Sequence, residues 1–330
     1  MENMSVRKEW LKALIVAVVA FVTIYGMFFS DRQKQDESNG HFISMSVQPQ
    51  PYIGPVVPLV ITDPQAQATW FVNRFWDEFD FRDSVRLRPE LLNVAFASYA
   101  SALFYVDKKI CRESICRMFD AAALGGQRAL ERFADLSEEY FGSRESPTRC
   151  ETAYIYAMDK LLEMSEIDSL QKIRYQALRD LACRNRPGMK AEEIRFENRK
   201  GTMYRLSMID AEFTLLFFYD PECGTCSAMR KYIIDSPIFE AYIKSERLTV
   251  VAIYAGYNKE HWHTHLSEMP KKWIVGYELQ GLVAGSVTYD TSGLPLLYLL
   301  DRDKTVILKE PTVEVLEAWL AQEQNENRDV

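Results

Sequence analysis

The chain has 330 residues, of which 48% are hydrophobic and 26% charged, and its formal net charge is −8. This length predicts about two domains, and this composition lets each of them bury an ordinary core. The acidic balance excludes the basic surface that nucleic-acid binders carry, so we expect no nucleic-acid partner.

An uncharged apolar run occupies residues 13–30. About 18–20 such residues cross the hydrocarbon layer as a helix. The flanking cations are Arg7, Lys8 and Lys12 before the run and Arg32 and Lys34 after it. The apolar run predicts one transmembrane helix within a membrane anchor at residues 1–30. The larger number of positive charges before the run predicts that the N-terminus is cytoplasmic. The alternative is a cleaved signal peptide, although "YGMFFSD" offers no small-x-small cleavage site.

Either interpretation places the rest of the chain in an export compartment, the periplasm or cell envelope, where disulfide chemistry operates. Residues 31–64 begin polar and then become rich in proline, which predicts an extended linker that acts as a spacer.

Residues 65–186 have the apolar spacing of helices and predict an all-helical domain of about six helices. The aromatic residues of "FWDEFDF" (75–81) are expected in its core. For the last helix, the spacing predicts a buried stripe consisting of Leu170, Ile173, Ala177 and Leu181.

Residues 187–330 change to the pattern of an α/β domain. A hairpin is predicted around 191–207, and the apolar runs 213–219 and 248–254 predict buried strands separated by a helix that Pro237 kinks or splits. A polar, helical stretch follows at 258–267, then a second hairpin at 294–309 and a last amphipathic helix at 311–324. We therefore expect a mixed sheet with helices on both faces.

The segment "FFYDPECGTCSAMRKYI" places Cys223 and Cys226 where a strand ends and a helix begins. Residues three apart on a helix are neighbours, so both sulfurs face the same side and a disulfide is geometrically available. The partial positive charge and free N–H groups of a helix start favour a thiolate at Cys223 and lower its pKa. Cys226 would then be the resolving thiol, and Gly224 lets a partner approach closely.

Two metal-site interpretations compete with a redox pair. Half of a zinc site would need two more ligands, and the sequence contains no second C-x-x-C pair. A copper site could combine Cys223 and Cys226 with a histidine of "HWHTH" (261–265), because thiolate and imidazole suit copper. We expect these histidines to be solvent-exposed helix residues and commit to no metal and no cofactor.

The other four cysteines lie in the predicted helical domain. Cys150 and Cys183 are near the ends of consecutive helices, but Cys183 falls off the predicted apolar stripe, which disfavours a disulfide between them. Cys111 and Cys116 point in different directions along one helix, so we expect buried free thiols.

The pieces "TLLFFYDPECGTC", "SGLPLLYLLD" and "VILKEPTVEVLEAWL" resemble the thioredoxin-like domain of membrane-tethered periplasmic thiol–disulfide oxidoreductases. The resemblance covers about 191–324. It implies an α/β thioredoxin-like C-terminal domain, preceded here by an all-α domain and one transmembrane helix. It also implies that Pro295 is a cis-proline facing the cysteine pair. The backbone of Leu294 would then pair with an extended partner segment.

Three residues depart from thioredoxin itself. Glu222 replaces the aromatic residue before the first cysteine, and its negative charge would raise the pKa of Cys223. Phe217 stands where the family has its buried acid, and Thr225 replaces the proline between the cysteines. The direction of electron flow is therefore left open.

The helical domain resembles a domain of unassigned function that is fused to such modules in Bacteroidetes. The residues that carry this resemblance are "FWDEFDF" (75–81), "SPTRCETAY" (146–154) and "NRPG" (185–188). Our first hypothesis is an exported, membrane-anchored oxidoreductase with protein thiols or disulfides as partners and another thiol system as electron donor. The alternatives are a non-catalytic thioredoxin-fold docking module and a copper-handling protein.

Overall fold

A computed structural model describes residues 49–326 of the chain. The predicted anchor (1–30) and the first part of the predicted linker lie outside these residues. Among the residues that are described, none of the helices has the length and apolar character needed to span a bilayer. From Pro49 onward the chain forms one compact unit.

Six α-helices follow one another in what we call the helical region, residues 64–183. They are α1 (Pro64–Arg74), α2 (Pro89–Ala102), α3 (Lys108–Gly125), α4 (Gln127–Ser137), α5 (Glu151–Glu163) and α6 (Ser169–Cys183). An aspartate caps the start of three of them, because its carboxylate accepts a backbone N–H that the helix leaves unpaired. These caps are Asp63, Asp107 and Asp168.

Aromatic side chains fill the core of the helical region, as the sequence predicts for "FWDEFDF". Trp76 is 7% exposed and lies edge-on to Phe79 and Phe133, with ring centroids 5.2 and 5.0 Å away. Phe96 is fully buried among the same rings. Edge-to-face pairs of this kind add to the free energy gained by burying the rings themselves.

Within the described part of the predicted linker, Tyr52 packs against the helical region. Tyr52 is half-buried, and its hydroxyl donates to the carbonyl of Phe75. Its ring lies 5.4 Å from the ring of Phe79 and stacks on Trp76 at 6.1 Å. Aromatic burial therefore ties this proline-rich segment to the helices.

The stripe predicted for α6 is wrong at its first three positions, because Leu170, Ile173 and Ala177 are all exposed. Leu170 is 77% exposed and Ile173 is 68% exposed, whereas Tyr175 is buried against the neighbouring helices. The helix is turned so that Tyr175, Leu178 and Ala182 form its core side. A large aromatic ring buries more apolar area than one aliphatic side chain, which favours this orientation.

The α/β region, residues 190–326, contains a seven-stranded sheet in the order β2-β1-β5-β4-β3-β6-β7. The strands are β1 (Arg195–Asn198), β2 (Met203–Arg205), β3 (Phe213–Tyr219), β4 (Leu248–Tyr254), β5 (Ile274–Glu278), β6 (Leu296–Leu300) and β7 (Val306–Lys309). The helices are α7 (Gly224–Asp235), α8 (Pro237–Lys244), α9 (Lys259–Thr264) and α10 (Val313–Glu326). Pro237 splits α7 from α8, as predicted.

Strand β3 is at the centre of the sheet and brings the cysteine-bearing helix to the segment before β6. It runs parallel to β4 and antiparallel to β6, with Phe218 opposite Leu296. Its seven residues are all buried, as a continuous apolar run predicts. The end of β3 and the start of β6 therefore meet at one edge of the sheet.

Helices cover one face of the sheet, which corrects the expectation of helices on both faces. The alternate residues Phe213, Leu215 and Phe217 pack with side chains of α7, α8, α9 and α10. On the other face, Leu216 and Phe218 pack with Val283 and Tyr289 of the segment 279–295 and with residues 206–211. Among the described residues, the segments that cover this second face contain no α-helix.

Strand β5 was missed by the sequence analysis. It pairs parallel with β4 and antiparallel with β1, where Phe196 lies opposite Glu278. Gly276 is needed in its middle, because a Cβ there would lie 2.3 Å from the ring of Phe196. A short strand with an internal glycine gives little local signal, so its neighbours on both sides determine it.

Candidate active site

Cys223 is the N-cap residue of helix α7, and its sulfur accepts a hydrogen bond from the backbone N–H of Cys226 at 3.1 Å. The "YDPE" segment after β3 turns the chain there, with the Asp220 carboxylate accepting the N–H of Glu222 at 2.8 Å. This is the helix-start position that the sequence predicts. The N–H groups at this position stabilise negative charge on sulfur.

Cys223 and Cys226 form a disulfide, with their Cα atoms 5.2 Å apart. Cys223 is half-buried, whereas Cys226 is 2% exposed and belongs to the apolar core on the helical face of the sheet. A visiting thiolate can therefore approach the first sulfur more readily than the second. This difference in access is what an attacking and a resolving cysteine require.

The Leu294–Pro295 peptide bond is cis and faces the disulfide. The carbonyl oxygen of Leu294 lies 3.9 Å from the Cys223 sulfur and accepts a hydrogen bond from the Thr225 hydroxyl at 3.4 Å. The structure thus brings the cysteine pair, Cys223 and Cys226, next to Leu294 and Pro295. Cys223 and Leu294 are 71 residues apart in the sequence.

Gly224 lies at the open side of this site. It is exposed, and a Cβ at that position would meet no atom within 4 Å. The fold itself therefore does not require glycine there.

Thr225 is a contact that the sequence analysis did not assign a role. Its hydroxyl oxygen lies 3.1 Å from the Cys223 sulfur. A hydroxyl at this distance can donate to a thiolate and stabilise it. The signal in the sequence was the hydroxyl residue between the two cysteines, but only the structure shows that it reaches the sulfur.

The buried acid of thioredoxin has no counterpart at position 217. Phe217 is 1% exposed, and its ring stacks on Tyr219 with centroids 5.7 Å apart. Burial raises the pKa of the Tyr219 hydroxyl above its ordinary value, so this group stays protonated at neutral pH.

One group of side chains could hold a metal ion beside the disulfide. Asp220, Glu222 and His261 each offer a ligand atom, and these atoms lie within 4.8 Å of one another. Carboxylate and imidazole ligands differ from the thiolate set that suits copper. Of the "HWHTH" histidines, His261 thus joins two acids, while His265 lies beside it with ring centroids 4.5 Å apart.

The four remaining cysteines are free thiols, so Cys150 and Cys183 form no disulfide. Cys111 is buried, as expected, and burial raises its pKa to about 12. Cys116 is only partly buried, which corrects the expectation for that residue, and burial also raises its pKa. None of the four adjoins the disulfide.

The family described as a domain of unknown function, DUF5106, matches residues 29–185. A thioredoxin-like protein from Bacteroides caccae has a similar crystal structure, with a TM-score of 0.74 and 29% identity. The match covers 83% of this chain and 99% of that one. None of the curated proteins matches.

Two further crystal structures match a smaller share of the chain. A conserved protein of unknown function from Bacteroides fragilis is 38% identical, covering 41% of this chain and 98% of that one with a TM-score of 0.40. The thioredoxin domain of a thiol-disulfide oxidoreductase from Bacteroides vulgatus is 20% identical, covering 42% of this chain and 96% of that one with a TM-score of 0.36.

The likeness to the Bacteroides caccae protein extends over nearly all of that protein and over most of this chain. The chain is thus similar in fold to a thioredoxin-like protein, and a DUF5106 domain lies ahead of its α/β region.

Proposed function

We propose that this protein is an exported thiol–disulfide oxidoreductase, tethered to the membrane by residues 1–30, that exchanges disulfides with protein partners through Cys223 and Cys226. The observation that carries the proposal is the position of the Cys223 sulfur. It accepts a helix-start N–H and lies 3.9 Å from the backbone carbonyl before the cis-proline. The thioredoxin-like neighbours support a redox function of this general kind.

Partner reduction would proceed in two steps. The Cys223 thiolate attacks one sulfur of the partner disulfide, which forms a mixed disulfide and releases the other partner sulfur as a thiolate. The Cys226 thiol then gives up its proton and attacks the Cys223 sulfur, which releases the second partner sulfur. Two electrons pass to the partner, and the pair ends as the Cys223–Cys226 disulfide. An upstream dithiol of another thiol system returns the two electrons.

The backbone beside the cis-proline would align the partner. An extended segment that pairs with Leu294 lies along the edge where β6 begins, as in strand addition. Its disulfide then stands in front of Cys223, at the open side formed by Gly224. The Leu294 side chain is half-buried in both cores of the sheet, which fixes the backbone that the partner meets.

Trapping of the mixed disulfide tests this proposal. A Cys226→Ala variant retains the attacking sulfur but lacks the resolving one, so it should accumulate disulfide-linked partners in cells, and a Cys223→Ala/Cys226→Ala variant should accumulate none. In glutathione or dithiothreitol buffers the intact pair should titrate as a two-electron couple.

The two alternatives have their own outcomes in the same experiments. If Cys226→Ala traps no partner while the intact chain co-purifies with one, the docking module is supported and the oxidoreductase is rejected. For the copper-handling protein, metal analysis of the reduced protein decides, since bound copper at one equivalent would support it and its absence would end it.

A further inference from the structure

A loop of the helical region contacts the cis-proline segment directly. This loop, residues 143–149, joins the end of a π-helical turn (Glu138–Gly142) to helix α5. From it, the Arg144 guanidinium donates one hydrogen bond to the carbonyl of Gly293 and a second, at 3.4 Å, to the carbonyl of Pro295. The two accepting carbonyls lie on either side of Leu294, whose backbone the proposed function assigns to the partner.

Glu310 holds this guanidinium in place from the other side. Its side chain is 3% exposed, and it lies between β7 and α10. Arg144 Nε is 3.3 Å from Glu310 Oε2, and Arg149 Nη1 is 2.6 Å from the same oxygen. A buried carboxylate is costly without cationic partners, so the two arginines of the loop and Glu310 stabilise one arrangement.

Asn185, in the connection between the helical region and the α/β region, holds the cis-proline segment (residues 279–295) at a second point. Asn185 is 2% exposed, donates to the carbonyl of Thr288 at 2.7 Å, and accepts the N–H of Glu192 at 2.7 Å. The segment 279–295 thus has no helix or strand of its own, yet side chains from outside the α/β region hold it at both Thr288 and Gly293.

Gly293 lets the arginine approach. A Cβ at position 293 would lie 3.2 Å from Arg144 Nη1, which is tighter than ordinary van der Waals contact. The close approach places a planar fork of donors against the two peptide carbonyls on either side of Leu294. Arginine presents such a rigid fork, whereas lysine has a single flexible ammonium group.

We propose that Arg144 is a positioning residue through which the helical region fixes the cis-proline segment for an extended partner peptide. This inference rests on the proposed function. A partner strand pairs only with a backbone that is already in place, and a mobile segment would lose conformational freedom on each binding event. Arg144 acts through the segment and contacts neither cysteine, so it should affect binding of peptides and leave the chemistry of the sulfurs unchanged.

The test compares two disulfide substrates with the reduced full-length chain. One is a synthetic peptide of extended sequence with a single intramolecular disulfide, and the other is hydroxyethyl disulfide, which is too small to form strand contacts. Single-turnover oxidation of the Cys223–Cys226 pair gives a half-saturating concentration and a limiting rate for the peptide. It gives a second-order rate constant for the small disulfide.

Arg144→Ala should raise the half-saturating peptide concentration about tenfold, as expected for the loss of charge-assisted hydrogen bonds. The limiting rate and the rate with hydroxyethyl disulfide should stay within about twofold of wild type, because the sulfur environment is unchanged. Arg144→Lys keeps the charge beside Glu310 but loses the fork, so it should fold as wild type and still bind the peptide more weakly.

Arg174→Ala is the matched control. Arg174 is also an arginine of the helical region, but its ion pair is with Glu138, and its side chain is 56% exposed. This variant should match wild type with both substrates. Unchanged peptide saturation in Arg144→Lys and Arg144→Ala would overturn the inference, as would an equal loss with both substrates. Failure of wild type to exchange with either substrate would reject the proposed function instead.

Discussion

Both regions of the molecule contain cysteines, but their positions relative to helices differ. In the helical region, Cys111 is buried within helix α3, and burial raises its pKa to about 12. In the α/β region, Cys223 stands just before the first residue of helix α7, and its sulfur accepts a backbone N–H. The first setting favours the neutral thiol and the second favours the thiolate. The same side chain is therefore inert in one region and suited to chemistry in the other.

The two regions also differ in how their cores relate to that chemistry. The aromatic core of the helical region surrounds Trp76 and Phe96, and none of its residues belongs to the disulfide site. The core of the α/β region includes Cys226 itself. In our proposal the helical region supports the site through the loop 143–149, whereas the α/β region holds the reacting sulfur atoms.

The largest effect is expected from disrupting the aromatic core of the helical region. Phe96→Ala removes a ring that contacts Trp76, Tyr99 and Phe133, and should lower the free energy of unfolding by about 3–5 kcal/mol. Phe104→Ala is the matched control, because Phe104 is 52% exposed, and it should cost less than about 0.5 kcal/mol. Urea unfolding measures both. Equal losses in the two variants would contradict the assigned core.

An intermediate effect should sharpen the contrast between the cysteines. The folded state holds the Cys111 proton up to a pKa of about 12, while an unfolded cysteine loses it near 9.0. The contribution of the Cys111 thiol to the free energy of unfolding is therefore fully present below pH 9. It is lost as pH rises towards 12, at roughly 1.4 kcal/mol for each pH unit. Cys111→Ala should remove that part of the alkaline loss.

Urea unfolding of wild type and Cys111→Ala between pH 8 and 10 measures this difference. The substitution also shifts stability by a constant amount through the lost side-chain volume, so the slope with pH is the relevant quantity. Identical slopes in the two proteins would show that Cys111 titrates as an exposed thiol.

The smallest effects are expected at the site itself. Thr225→Val removes a hydroxyl 3.1 Å from the Cys223 sulfur and should raise the Cys223 pKa, so that exchange requires higher pH. Glu222→Gln removes a neighbouring negative charge and should lower the Cys223 pKa, so that exchange persists to lower pH. Each shift should be under about one pKa unit, since both side chains are exposed and water screens them.

The pH dependence of Cys223 alkylation by iodoacetamide, located by mass spectrometry in the reduced protein, reports these shifts. The two substitutions are controls for each other, because their effects have opposite signs. A shift of the Cys223 pKa in the same direction in both variants would mean that the Thr225 hydroxyl and the Glu222 carboxylate do not control this pKa.

The sequence predicted the elements whose signal is local. The continuous apolar runs at 213–219 and 248–254 gave buried strands, Pro237 gave a helix break, and Cys223 with Cys226 marked a helix start. These features depend on spacing along a few residues, so they can be read without knowing what lies across from them.

The errors occurred where distant residues decide. Strand β5 has a glycine at its centre and depends on β1 and β4 for its hydrogen bonds. On α6 the spacing allowed two orientations, and packing of Tyr175 exposed Leu170 and Ile173 instead. An amphipathic pattern predicts a helix, but it does not determine which neighbour receives its apolar side.

By itself the sequence determined the helical and strand periods and the two cysteines one helical turn apart, because these follow from side-chain chemistry and short-range backbone geometry. Only the tertiary structure decided what faces the Cys223 sulfur. The Leu294 carbonyl and, beyond it, the Arg144 guanidinium come to the site from parts of the chain that are distant from Cys223 in sequence. The pairing of β3 with β6 and the burial of Glu310 fix these positions. Neither can be predicted from a local sequence pattern.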